Sequence, residues 1–406
     1  MNDWPIHLAP DDAPFRIDAI SIVLKLSEIC NLACTYCYYY KVDEYAVWKS
    51  RPKFMDESIV VQLTDRLLDF VRSSRTRRVK IVLHGGEPTL LSNEIVDFIC
   101  KHMRIKIGPW SDVVFSLQTN GYFLSEAWIR TIKSNRIDVG ISIDGTPDVH
   151  DRVRVTQTGR PTSAAIARTV RKLQVPTGRA DPVPIGVLTV VNEATDIQKT
   201  VKYLEEELGV DGINFLLECP TSDASTSEVK SDRFSKVLRD IFDSSLLHQG
   251  VYSHELQLLY DAIRPRSDCV SASEREGVDQ AVRLPTIALT VHTDGSMSVD
   301  DSLIVVIAWF KLLPRANVAD TAIAEYLLHP VVRAYHRSLV EIPQDCGGCK
   351  FAKVCRGGMP HFRYTQLRGF ENRSSYCDSY FEFYEHVVAT LLGAGFPRER
   401  LETALA

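Results

Sequence analysis

The chain has no apolar run long enough to cross a bilayer. The longest, residues 303–310, falls well short of the roughly 20 residues a spanning helix needs. Nor does one sign of charge dominate. Lys and Arg total 47 against 52 Asp and Glu, a formal net charge of −5. That balance leaves no basic footprint for nucleic acid or for an anionic membrane surface. Residues 1–12 are acidic and broken by prolines, without the charged-then-apolar order of a secretory leader. No internal repeat or low-complexity tract is present. These absences lead to the expectation of a cytoplasmic protein with neither a nucleic-acid nor a membrane partner. What is there is substantial: 406 residues at 45% hydrophobic content can bury a large core in two or three domains. The ten cysteines, in a reducing compartment, argue for metal binding or catalysis over disulfides.

Strand-like and helix-like stretches alternate through the first half. Residues 20–26 alternate as a strand and are followed by an apolar-faced helix over 56–72. Strands over 79–83, 113–117, 137–143, 184–191 and 212–217 are interleaved with helices over 95–103, 124–133, 163–173 and 197–208. Such alternation predicts an α/β architecture with a parallel sheet, read here as a partial (β/α)6 barrel over 18–225. Before it lies an N-terminal extension, 1–17. After it come a Ser-rich linker within 221–228 and a helical linker, 226–283, with helices over 234–247 and 251–263. A small cysteine-rich region, 284–392, follows. It is expected to contain a β-hairpin (strands 284–291 and 297–299 around the turn 292–296), a helix over 322–328 and a helix over 381–392. The tail is 393–406.

The unusual residues cluster just after strands. Cys30, Cys34 and Cys37 form a C-x3-C-x2-C array directly after the first strand. Thiolates favour soft metal centres, and Fe–S clusters are usually held by four of them. Three local thiolates would leave one iron open to a non-protein ligand, the signature of a reaction centre. A structural zinc knuckle is the alternative. Gly85-Gly86-Glu87-Pro88 follows the second strand. Glycines there let a ligand approach the backbone, and a carboxylate can hold an ammonium group; a tight strand-to-helix turn reads the same way. Gln118-Thr119-Asn120-Gly121 ends the third strand. Ser142-Ile143-Asp144-Gly145 ends the fourth, with His150-Asp151-Arg152-Val153-Arg154 beyond it.

The cysteine array and the strand-end motifs together resemble the radical S-adenosylmethionine (SAM) enzymes. The resemblance implies that Cys30, Cys34 and Cys37 hold a [4Fe–4S] cluster whose open iron binds SAM. It also implies that reductive cleavage yields a 5′-deoxyadenosyl radical. By the same resemblance Gly85, Gly86 and Glu87 meet the methionine amine, and Tyr36, otherwise a packing residue, lies near the adenine. Asn120 joins the same set, Ser142 meets the ribose and Arg154 the SAM carboxylate.

A second array, Cys346-x2-Cys349-x5-Cys355 with Cys377 further on, has enough thiolates to close a cluster, and fits a zinc ribbon as well. With Gly357-Gly358-Met359-Pro360-His361 and Gly369-to-Cys377 around it, it resembles the SPASM extension of radical SAM maturases. That implies an auxiliary [4Fe–4S] cluster for electron transfer or support. Met359 and Asp300 stand where that extension often has cysteines, and upstream only Cys269 remains. One auxiliary cluster is therefore expected, not two. Asp301 matches the position of the proton-accepting aspartate of sulfatase maturases; a solvated Asp300-Asp301 hairpin is the plain alternative. Oxidative loss of a proton and an electron needs such a base. Cys100, with apolar neighbours, and Cys219, after the sixth strand, read as packing residues.

The resemblance implies a radical SAM/SPASM oxidoreductase that modifies a precursor peptide and is served by a reductant such as flavodoxin or ferredoxin. Tyr38-Tyr39-Tyr40, Trp48 to Met55 and Gly369 to Cys377 look most like the cyclophane-forming branch, which joins a side-chain Cβ to an aromatic ring. Formylglycine formation of the sulfatase-maturase type, thioether formation, epimerisation and a non-enzymatic zinc or Fe–S interaction protein are the alternatives.

Overall fold

The computed structural model describes residues 17–41, 47–176, 182–191, 195–218, 231–263 and 287–405. Cys219, Cys269, the N-terminal extension through residue 16 and the 221–228 linker lie outside them.

Among the described residues nine strands form one open sheet. They are β1 (Ala19–Ser27), β2 (Arg78–Gly85), β3 (Asp112–Thr119), β4 (Ile137–Ser142), β5 (Ile185–Val191), β6 (Gly212–Leu217), β7 (Val251–Ser253), β8 (Ile287–Val291) and β9 (Met297–Ser298). The order is β7-β6-β5-β4-β3-β2-β1-β8-β9, parallel throughout except β8–β9. Strands β1 to β6 with their helices are the partial (β/α)6 barrel expected from the alternation. On β1, Ile20, Ile22, Leu24 and Leu26 are buried in one core with Val60, Leu63 and Leu67 of helix Glu57–Ser74. Lys25 and Ser27 have the opposite parity, so the pleat turns them to the other face. Asp56 caps that helix by accepting from the Ser58 N–H at 2.8 Å.

The hairpin at residues 292–296 forms as expected. Its strand β8 pairs with β1, so the sheet runs unbroken into the C-terminal region. Two expectations need correction. Residues 251–253 are not helical: β7 pairs in parallel with β6 from Ile213↔Val251, completing the edge β6 would otherwise expose, and the helix begins at His254. A helix Pro330–Ser338 was not anticipated. It starts with proline at its first turn, and the His329 side chain accepts from the Val331 N–H. Helix Cys377–Gly393 also begins four residues before the expected 381, so Cys377 sits at its N-terminus. No helix among the described residues is long and apolar enough to cross a membrane.

Candidate active site

The C-terminal ends of β1 to β4 converge on the three-cysteine loop. Two backbone bonds pin the loop to the segment after β4: Ala33 N–H to the Val155 carbonyl at 2.8 Å, and Thr35 N–H to Val153 at 2.9 Å. The Gln157 amide donates to the Leu32 carbonyl at 2.8 Å. Cys30, Cys34 and Cys37 are half-buried and unbridged. Burial pushes the Cys30 thiol up to about 12, and the Glu87, Cys34 and Cys37 charges add to it; the Leu32 N–H opposes. Cys34 is likewise raised by burial, with Arg154 opposing. Such thiols ionise once a positive centre compensates them, which is how metal centres recruit thiolates.

Gly85 and Gly86 serve the chain before any ligand. Gly85 has φ +153, and a Cβ on either residue would overlap the Ser27 or Ile29 backbone. Their absence lets the Gly86 N–H reach the Ser27 carbonyl at 2.7 Å and the Glu87 N–H reach Ile29 at 2.9 Å, which fixes the entry to the cysteine loop. The fully buried Glu87 carboxylate binds β3. Its Oε1 accepts from Thr119 Oγ1 at 2.7 Å, from Thr89 Oγ1 at 2.7 Å and from the Thr89 N–H at 3.1 Å. Its Oε2 accepts only from the Asn120 N–H at 2.8 Å, leaving that oxygen room for one further donor. The Asn120 amide reaches Asn31 at 2.8 Å and the Cys30 sulfur at 3.7 Å.

Across the loop, Arg154 joins the cysteines to β4. Its Nε donates to Asp144 at 2.8 Å and its Nη1 to the Cys34 sulfur at 3.8 Å, while its plane lies 5.5 Å from the Tyr36 ring centroid. Tyr36 donates its hydroxyl to the same Asp144 carboxylate. Burial lowers the affinity of Arg154 for its proton, but Asp144, Tyr36 and Cys34 outweigh it, so the guanidinium stays charged. Ser142 accepts from the Gln118 amide at 3.0 Å.

Asp301 is buried, which rules out the solvated-hairpin reading. It opens a 3₁₀ turn, Asp301–Val305, capped by Asp300, whose carboxylate accepts from the Ser302 N–H at 2.9 Å. Asp301 itself is held from three sides. The Lys25 ammonium of β1 donates to it, and so does the Tyr38 hydroxyl, one residue past Cys37, at 2.9 Å; His84 of β2 lies 3.1 Å from the same ammonium. Burial works to raise the Asp301 carboxyl, yet the Lys25 charge and the bonds from Lys25 and Tyr38 hold it well below the usual carboxylate range. Burial and the Lys25 charge lower His84 to about 4, leaving it neutral near pH 7. Beside this group, Tyr39 donates to Glu28, and His292 of the hairpin faces Glu28 at 3.5 Å.

The second array closes around a cavity of 630 Å³ lined by Cys346, Cys349, Cys355 and Cys377. Four thiolates on one zinc would each lie about 2.3 Å from it, drawing the sulfurs together. The cavity also has room for a multi-atom iron–sulfur cluster. Burial pushes Cys355 up to about 12 and raises Cys346 and Cys377. Cys100, by contrast, is fully buried within the main core, as its apolar neighbours imply.

Sequence reasoning missed Lys25, His84 and the Arg154 partner, Asp144. Lys25 had a signal, as the lone charge in an otherwise apolar alternating strand. Asp144 had one in its strand-end motif. His84 had none beyond its place before the glycines.

Comparison with known proteins agrees with this geometry. Residues 24–184 match the radical SAM superfamily, from the end of β1 to the residue before β5. Over 386 residues the chain is 24% identical to a cysteine-type anaerobic sulfatase-maturating enzyme of Clostridium perfringens, covering 92% of this chain and 97% of that one. Over 403 residues it is 23% identical to a serine-type counterpart of Bacteroides thetaiotaomicron, covering 93% and 91%. Its fold matches native anSMEcpe with bound AdoMet at a TM-score of 0.73 and 23% identity, covering 92% of this chain and 98% of that one. The same protein with bound AdoMet and the Kp18Cys peptide matches at 0.71 and 22%, covering 93% and 99%.

Proposed function

We propose that this chain, whose residues 24–184 match the radical SAM superfamily, is a SPASM-type peptide-modifying oxidoreductase. In this reading it oxidises a cysteine or serine side chain of a peptide or protein substrate, as sulfatase maturases do. The observation that carries this reading is the Asp301 contact: a carboxylate from the C-terminal region, fixed by Lys25, touches Tyr38 beside Cys37. Near full-length similarity to sulfatase-maturating enzymes supports it and shifts the weight from ring–Cβ crosslinking to formylglycine formation.

In this reading Cys30, Cys34 and Cys37 hold a [4Fe–4S] cluster, and Glu87, Asn120, Tyr36, Ser142 and Arg154 surround SAM. When bound, the pair supplies a radical that takes one hydrogen atom from the substrate Cβ. The carbon radical that remains must lose one electron and the proton of its thiol or hydroxyl to form the double bond to sulfur or oxygen. Asp301 accepts that proton. Lys25 and Tyr38 orient the carboxylate and keep it ionised before each turnover. Cys346, Cys349, Cys355 and Cys377 would hold one auxiliary cluster, which would accept the electron; a thioaldehyde formed from cysteine then takes up water and releases hydrogen sulfide to leave the aldehyde that serine gives directly.

The test is incubation of reduced, reconstituted enzyme with SAM and peptides bearing a single Cys or Ser, followed by hydrazide trapping. An aldehyde adduct is expected. A product two hydrogens lighter that resists trapping and carries a ring–Cβ bond would move the assignment to the cyclophane branch. SAM cleavage with no product from any peptide would overturn peptide oxidation itself.

A further inference from the structure

Three cations of the N-terminal site face carboxylates: Lys25 meets Asp301, Arg154 meets Asp144 at 2.8 Å, and Arg51 meets Asp294 at 3.7 Å. Arg363 does not. It is only 1% exposed, yet among the described residues no carboxylate lies within ion-pair distance of it. Its Nη1 donates to the Phe370 carbonyl at 2.6 Å and its Nη2 to the Ser338 carbonyl, while Nε has no acceptor. Carbonyls supply dipoles but no compensating charge, so this burial is costly as it stands.

The geometry shows where the missing anion belongs. Arg363 follows the 3₁₀ turn Pro360–Phe362, and its Cδ lies against Gly357, two residues beyond Cys355. The Asn372 amide fixes its backbone carbonyl at 3.0 Å. Burial works to discharge the guanidinium; the charges opposing that are Cys346, Glu371 and Cys355, of which Glu371 is exposed. The buried groups among them are the thiols Cys346 and Cys355, the second of which lies two residues before Gly357 against the Arg363 Cδ.

We propose that Arg363 is the built-in counter-charge of the four-cysteine site and raises the reduction potential of its cluster. This rests on the reading that the site holds a [4Fe–4S] cluster. A cluster on four thiolates is anionic when oxidised and more so after taking one electron. A fixed cation in a low-dielectric surround therefore stabilises the reduced form more. Arg373, also beside Cys377, is exposed and screened by solvent, so it contributes less. Arg363 thus biases the site towards accepting an electron.

The experiment uses the full chain carrying C30A, C34A and C37A, so that only the C-terminal cluster loads. Iron and sulfide are counted, and the midpoint potential is read by EPR-monitored redox titration. Arg363→Met is expected to shift the midpoint negative, Arg363→Lys to stay near the parent, and Arg373→Gln to shift it less than Arg363→Met. A fully loaded Arg363→Met protein with the parental midpoint overturns the proposal, as does a larger shift in Arg373→Gln. Should Arg363→Met load no cluster, loading restored in Arg363→Lys supports the charge role; failure of both overturns it. The metal-free proteins give a second readout. Arg363→Met is expected to melt at or above the parent, because an uncompensated charge has gone, and a lower melting temperature would mark a structural role instead. A parent without iron overturns the cluster reading itself, which separates that failure from failure of the Arg363 role.

Discussion

The two cysteine sites differ in how they balance charge. At the N-terminal loop three thiols share their surroundings with the closed ion pairs Arg154–Asp144 and Lys25–Asp301. Apart from the Glu87 carboxylate, the charges there are paired with one another, so a ligand can come and go without leaving a naked cation. At the C-terminal site the buried Arg363 pairs with no carboxylate among the described residues, and the buried charges acting on it are the thiols Cys346 and Cys355. That site is completed only by what it holds. One arrangement suits an exchangeable ligand, the other a resident cofactor.

The sharpest break of that comparison is to remove thiols. Changing Cys30, Cys34 and Cys37 to Ala should abolish SAM cleavage, read as 5′-deoxyadenosine formed. Changing the four C-terminal cysteines should leave measurable cleavage while ending product formation. Undiminished cleavage in the first variant would sink the assignment of roles.

Next in size, Asp301→Asn should lower product formation by about 10²–10⁴-fold, the usual worth of a positioned general base, while SAM is still consumed. Equal losses of both activities would argue that Asp301 only shapes the fold.

Arg154→Met leaves Asp144 buried and unpaired. Loss of one partner of a buried pair costs about 3–5 kcal/mol, so thermal unfolding and SAM affinity should both suffer. A double variant, Arg154→Met with Asp144→Leu, should recover stability without recovering SAM affinity.

Acid should cost somewhat less per group. Burial lowers His84 and His150 to about 4. Each is neutral in the fold and binds its proton more tightly once unfolded. Their stability contribution is therefore complete above pH 6.5 and is lost as pH falls from about 6.5 towards 4, at up to about 3 kcal/mol each. Denaturant unfolding from pH 7.5 to 5 checks this, and a flat profile would contradict it. Lys25→Met also breaks a buried pair, and its distinguishing readout is the pH profile. Removing the ammonium lets the Asp301 carboxyl rise, so the acid limb of product formation should move to higher pH.

Much of this was legible because period and punctuation survive in sequence. Each alternating run that ended in a polar motif became a strand carrying that motif to one rim of the sheet. Strand β7 was not legible: Val251–Ser253 is too short for a period, and its pairing with β6 is a tertiary fact. Asp300 stands where the SPASM extension often has a cysteine, and its carboxylate instead caps the turn that presents Asp301. Lys25 and Arg363 escaped for one shared reason. Their meaning lies in what they face in the fold, Asp301 for one and the thiols Cys346 and Cys355 for the other, and no spacing rule marks a lone cation as the partner of either.

Metal and sulfide analysis of anaerobically reconstituted protein tests the two-site account most directly. The full chain should carry about eight irons and eight sulfides, four in each cubane, falling to about four when either cysteine set is replaced by alanine. Zinc in either site, or an iron count that does not fall on removing Cys30, Cys34 and Cys37, would contradict it.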